Sequence, residues 1–143
     1  MAIITEFSFL NFLIAFLLAE GVSIAIKIIT EIIKNKKFKL YYLVTDGGFP
    51  SCHSTFVSSL VAGTFLYSGF SLITFAVFGF AIINIRDALG VRREVGKQSI
   101  ILRTLKGKKF DNIKLRREGH NFWQVLAGLV LGVVITTIVL LIL

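Results

Sequence analysis

Tyr67-Ser68-Gly69-Phe70-Ser71 interrupts a run, Ser54 to Ile85, that holds no charged residue and is too long for one membrane helix. A bilayer core asks for roughly 20 apolar residues per helix, within a range of about 17–25. Serine and glycine together supply turn conformations that a helix interior avoids. The run therefore reads as two short spans, 54–67 and 70–87, folded back on each other at the turn. Further out, Phe122 to Leu143 is free of charge and gives the span 122–143. The stretch 7–33 gives another, although Glu20, Lys27 and Glu31 interrupt it. The expected fold is all-α. A single membrane domain, 1–143, forms a bundle of four transmembrane helices joined by cytoplasmic loops 34–53 and 88–121.

Composition agrees with a membrane class. Of 143 residues, 55% are hydrophobic, with 14 Phe against one Pro, and mean hydropathy is +0.83. Such values belong to chains whose apolar surface meets lipid. Net charge is +8, and its placement says more than its size. With four spans, the segment before Phe7, the turn at Tyr67 to Ser71 and the C-terminus share one side, and none carries Lys or Arg. Every basic residue falls near the end of the first span or in the two loops opposite. The positive-inside rule then puts those loops in the cytoplasm and both termini outside a cell membrane. Lys34, Lys36, Lys37, Lys39, Lys106, Lys108, Lys109 and Lys114 read first as orientation signals that meet anionic headgroups. No recognition-helix pattern or aromatic interleaving points to nucleic acid. No repeat or polar stripe across the bilayer points to a transporter.

Chemistry concentrates where the second span begins. Gly47-Gly48-Phe49-Pro50-Ser51-Cys52-His53-Ser54 combines a glycine pair, a proline, small polar side chains and one of two histidines. Glycines let backbone approach a ligand closely, and the N–H groups of a helix start form an anion site. A histidine there can move a proton near neutral pH. Cys52 is the only cysteine, so no internal disulfide forms. A thiol phosphatase would need an arginine six positions beyond it, where Ser58 stands.

Three further groups share that side. Lys27 and Lys34 sit near the end of the first span. Glu20, Lys27 and Glu31 fall on one helical face at i, i+7 and i+11, where charge is costly and is a functional hypothesis by default. Arg86, Asp87, Arg92 and Arg93 follow the third span, and guanidinium forks suit phosphate oxygens. Arg116 and Arg117 precede Gly119-His120 at the head of the last span. Two histidines amid basic residues suit metal-free phosphoryl transfer, one attacking phosphorus and one protonating the leaving oxygen. Gly128 and Gly132 form a GxxxG pair that reads as a close helix contact, with homo-oligomerisation as one use.

Taken together, Gly47 to Ser54, Arg86 to Gln98, and Gly119-His120 followed by Gln124-Val125 and Gly128 resemble the divergent branch of the type 2 phosphatidic acid phosphatase family, related to acid phosphatases and vanadium haloperoxidases. The likeness runs from about Lys27 to Gly132. It implies catalysis by His120 as nucleophile and His53 as acid, with no metal and no cofactor. It implies phosphate binding by Lys27, Lys34, Ser51, Arg92 and Arg93. Cys52 stands where the family has glycine, and Gln124 where it has the acid that orients the nucleophile; Asp87 is the other candidate for that role. The implied activity is hydrolysis of a phosphate monoester on a phospholipid or isoprenyl phosphate, phosphatidylglycerophosphate or phosphatidic acid being typical, through a phosphohistidine. The alternative is a non-catalytic membrane protein that binds phosphorylated lipids or partner proteins.

Overall fold

The structure, a computed structural model, describes residues 2–4, 6–36, 48–106 and 119–143. All regular secondary structure among the described residues is helix, with no strand among them. α1 is Phe9–Asn35, α2 Cys52–Ser68, α3 Leu72–Leu89, α4 Val91–Lys106 and α5 Phe122–Ile142. Four of these starts are set by short polar caps that satisfy an otherwise orphaned N–H. Ser8 accepts from Asn11 N, Ser51 from Ser54 N, Ser71 from Thr74 N, and Asn121 from Gln124 N. The α2–α3 turn is closed by Gly69, whose φ of 57° is a conformation that costs an L side chain about 1–2 kcal/mol.

Three helical stretches among the described residues are long and apolar enough to cross a membrane: Phe9–Asn35, Leu72–Gln98 and Phe122–Ile142. The second runs through α3 into α4. Their outer faces present large apolar side chains such as Leu17, Phe75, Ile83 and Ile138, which a bilayer would cover. α2 is 17 residues long and differs in kind. It packs on α5, α3 and α1, and its buried residues are mostly Ser, Thr, Ala and Gly.

Small residues let the backbones approach closely. α1 buries Ala15, Ala19, Ser23, Lys27 and Glu31, one stripe with a step of four. α5 buries Val125, Gly128, Gly132, Thr136 and Leu140. A Cβ on Gly128 would run into Ser51 O and the Ser54 side chain; one on Gly132 would run into Thr55 O and Ser58 Oγ. Hydroxyls add bonds from α2 to α5 and to α1. Ser59 and Thr136 share a hydrogen bond of 2.5 Å, and Thr55 Oγ1 donates to Ser23 Oγ at 3.1 Å. Such interhelical bonds contribute about 0.6 kcal/mol each on average in membranes. Away from the charged end, Ile3 N and Ile4 N donate to Leu66 O, and Ala15, Leu66 and Leu140 form an apolar cluster.

Two expectations change. The interval 88–121, read as loop, contains α4, because helix-compatible charged residues look like loop to a search for apolar spans; Glu94 and Lys97 pair at 2.5 Å along it. Residues 107–118 of that interval, with Arg116 and Arg117, lie outside the described residues, as do 37–47 of the other loop, with Gly47. Gly128 and Gly132 do not face outward to join copies of the chain. Both are buried against α2 of their own bundle, so the close approach they permit is internal. Gly132→Val is therefore expected to destabilise the bundle by about 1–3 kcal/mol or more through overpacking against fixed backbone. Gly79→Ala, with nothing within 4 Å of the added carbon, is expected to be neutral. Thermal unfolding of both variants in detergent checks the pair.

Candidate active site

The end of the bundle opposite the α2–α3 turn collects the termini of every helix that carries chemistry. Lys27 and Glu31 close the buried stripe of α1. They are 7% and 9% exposed. The segment leading into α2 is tied on both sides. Thr30 Oγ1 donates to Phe49 O at 2.8 Å and to Lys27 O at 2.9 Å, which holds the segment to α1. Ser51 N donates to Gln124 O at 3.0 Å, which holds it to α5. Gly48, at φ 110°, lies against the aliphatic stem of Lys27, where an added Cβ would come within 3.1 Å of Cγ.

These ties place His53 in the first turn of α2, on the exposed side. His120 immediately precedes the Asn121 cap of α5, is 5% exposed, and donates its backbone N–H to Ala88 O at 3.2 Å. The two rings lie with centroids 6.4 Å apart, inclined by 58°. Gly119 makes the approach to His120 possible. Its φ is 88°, and a Cβ there would meet Arg93 Cα at 2.5 Å and Arg93 N at 2.6 Å. The start of α4 is thus pressed onto the residue before His120.

A polar cavity of about 290 Å³ opens beside this junction, lined by Thr30, Glu31, Lys34, Gly48, Phe49, Gly119 and Gln124. Residues from α1, the α2 approach and the α5 approach meet in it. Glu31 Oε2 accepts from Asn35 Nδ2 at 2.8 Å.

Of the residues singled out in the sequence, His53 and His120 come together, and Lys34 and Gln124 share the cavity. Ser51 is fully buried. Its Oγ accepts from Ser54 N at 3.3 Å and from Ser54 Oγ at 2.9 Å, so the hydroxyl caps α2. Asp87 pairs with Arg92, Nε to Oδ2 at 2.6 Å. Arg93 meets the site through its backbone while its side chain is exposed. Gln124 Oε1 accepts from Asn121 N, and Gln124 N donates to Asn121 Oδ1, each at 2.9 Å. That reciprocal pair is a capping box. It was legible as Asn-x-x-Gln ahead of an apolar run, yet a motif reading of Gln124 passes over it. Thr30, which ties α1 to Phe49, carries no sequence signal beyond lying one turn from Lys27. Glu31 was legible on the Lys27 face, and its place in the cavity wall adds to that.

An all-helical, multi-pass membrane protein with two histidines and a basic, partly buried cluster at one end defines the class. The chain belongs to the Divergent PAP2 family, whose model matches residues 9–135. It is 35% identical over 106 residues to the uncharacterized membrane protein YuiD of Bacillus subtilis (strain 168), an alignment covering 73% of this chain and 65% of that protein. The chain thus spans somewhat less than two thirds of that relative's length. No solved structure matches the chain.

The Gly119 contact yields a direct check. Gly119→Ala adds about 1–2 kcal/mol of left-handed strain as well as the overlap with Arg93. In the wild type, diethylpyrocarbonate is expected to modify exposed His53 quickly and buried His120 slowly. In Gly119→Ala, His120 is expected to become fast while His53 is unchanged, read by peptide mass spectrometry.

Proposed function

We propose that this chain is a phosphatase for a lipid phosphate monoester, built as one membrane domain over residues 1–143. α1, α2, α3 and α5 would each cross the bilayer, α2 as the inner helix shielded by the others. Lys27, Lys34 and Lys36 in or just beyond the last third of α1, and Arg86, Arg92 and Arg93 around the α3–α4 junction, fall at the same end of the bundle as the histidines. The positive-inside rule then favours a cytoplasmic site and external termini. Membership of the Divergent PAP2 family supports a phosphatase-related chemistry. The observation that carries the reading is that the two imidazoles stand with ring centroids 6.4 Å apart, near enough to serve one phosphoryl group.

In this mechanism a ring nitrogen of His120 attacks phosphorus and the P–O bond to the lipid alcohol breaks. His53 gives its proton to the departing oxygen. Water then attacks the phosphohistidine, passes a proton back to His53, and releases inorganic phosphate. Lys27, Lys34, Arg92 and Arg93 would balance charge on the phosphoryl oxygens, together with the first-turn N–H groups of α2 that follow the Ser51 cap. Asp87 would act through Arg92, holding its guanidinium. The buried setting of His120 would keep water off the ring until the lipid alcohol has gone.

Phosphate release by purified protein tests this, using phosphatidylglycerophosphate, phosphatidic acid and isoprenyl phosphates with EDTA present. Release is expected to persist in EDTA, to fall about 10²–10⁴-fold in His53→Ala, the usual worth of a positioned acid, and to vanish in His120→Ala. Undiminished release from either variant would refute the assignment. One observation favours a second reading, a non-catalytic binder of phosphorylated lipids or partner proteins. Gln124 offers an amide rather than a carboxylate, and its oxygen is engaged by Asn121 N. That reading expects lipid-phosphate binding that survives His120→Ala, with no phosphate released by the wild type.

A further inference from the structure

The polar cavity has an apolar neighbour. On the far side of Phe49 a second cavity, about 560 Å³, runs between α1 and α5. Its walls include Ile26 of α1, Phe49 and Pro50, and Trp123, Val130 and Val134 of α5. The two cavities share Phe49, and the neighbours Trp123 and Gln124 line one each. One is walled by Lys34, Glu31, Thr30 and Gln124, the other almost entirely by hydrocarbon. The apolar one descends along α5 for three turns, from Trp123 to Val134, on a face that a bilayer would cover.

We propose that the two cavities form one site for an amphiphile: a membrane lipid whose polar head occupies the polar cavity, with its phosphate turned toward the two histidines beside it, and whose chain lies in the α1–α5 groove. This rests on the lipid-phosphate reading of the site and specifies how the lipid is held. Each half constrains the occupant. A head with negative charge is drawn to Lys34 and the neighbouring basic end of the bundle. A water-soluble phosphate would leave the groove to bulk lipid and gain nothing from it. A neutral lipid would gain nothing from Lys34 or from the basic end of the bundle around it. A chain in the groove removes apolar wall from competition with bulk lipid only if the head is held, so the two halves act together. Phe49, tied to Thr30 through its carbonyl, stands at the junction and sets where head gives way to chain. Entry is sideways, from the membrane.

Trp123 is the only tryptophan in the chain and lines the groove, so it reports occupancy. The protein is reconstituted in phosphatidylcholine vesicles as His53→Ala, in which turnover is too slow to consume the added lipid during the measurement. Either phosphatidic acid or phosphatidylcholine with brominated chains is then added at equal mole fraction. Phosphatidic acid is expected to quench Trp123 severalfold more strongly. Unbrominated phosphatidic acid is expected to reverse this, whereas glycerol 3-phosphate, with the head and no chain, is not. Ala127→Phe, which fills the groove wall, is expected to remove the preference while leaving the circular dichroism spectrum unchanged. Equal quenching by the two lipids overturns the inference, as does displacement by glycerol 3-phosphate. Should Ala127→Phe fail to fold, the wild-type groove and the displacement series still decide. The quenching needs no turnover, so preferential quenching without phosphate release would sustain the lipid site and remove the phosphatase. Phosphate release without preferential quenching would do the reverse.

Discussion

The close approach of α2 to α5 is the constraint on which the rest of the molecule depends. Two glycines on α5 remove side chains where Ser51 O and Thr55 O stand, and hydroxyls fill what remains. In lipid there is little hydrophobic gain from burying one apolar helix against another, so contact geometry and hydrogen bonds decide which helices pair. Small residues make that pairing specific, because only matched Gly, Ser and Thr positions permit it. The consequence is positional. Once α2 and α5 are held at this separation, the residues at their heads must meet, and those residues include His53 and His120. Ser51 N bonded to Gln124 O extends the same contact past the helix start.

The buried stripe of α1 shows how a charged site is carried on an apolar scaffold. From Ala15 to Ser23 the stripe is small and nearly neutral; at Lys27 and Glu31, still on the same face, it becomes ionic. Isolated charge in a bilayer is expensive, and it persists where it meets a polar interior or a partner. Here the change coincides with the strapped segment before α2, the Thr30 tie to Phe49 and the polar cavity. The helix uses one face for two purposes, close packing in the membrane and a polar wall at its edge. Gly119 and Gly48 complete the arrangement from the other side, since each sits where backbone passes close to a basic residue.

Much of this was legible in the sequence, and the reasons differ by element. α1, the α2–α3 turn and α5 follow from apolar length and from serine–glycine turn chemistry, both local properties. α4 was not legible, because a search for apolar spans discards a charged helix, and its helical register shows only once propensity and the Glu94–Lys97 pair are weighed. The gathering of histidines and basic residues at one end follows from counting spans and needs no coordinates. Their mutual geometry does not. Asp87 was a candidate to orient His120, and whether it faces Arg92 or the imidazole depends on how α3 meets α4 at Gly90. Gln124 carried two meanings, a motif position and half of a capping box, and the second is seen once Asn121 is placed at the helix start. Gly128 and Gly132 announced a close contact without saying with what; only the packing of α5 on α2 supplies the partner.

The proposed mechanism stands or falls on whether His120 carries the phosphoryl group. The decisive measurement is rapid quenching of the protein in alkaline detergent during turnover of phosphatidic acid bearing a radioactive phosphate, followed by peptide mapping at alkaline pH. An alkali-stable, acid-labile phosphoryl group is expected on the peptide containing His120, absent from His120→Ala. Phosphate release with no labelled protein, or a label on any other residue, would contradict it.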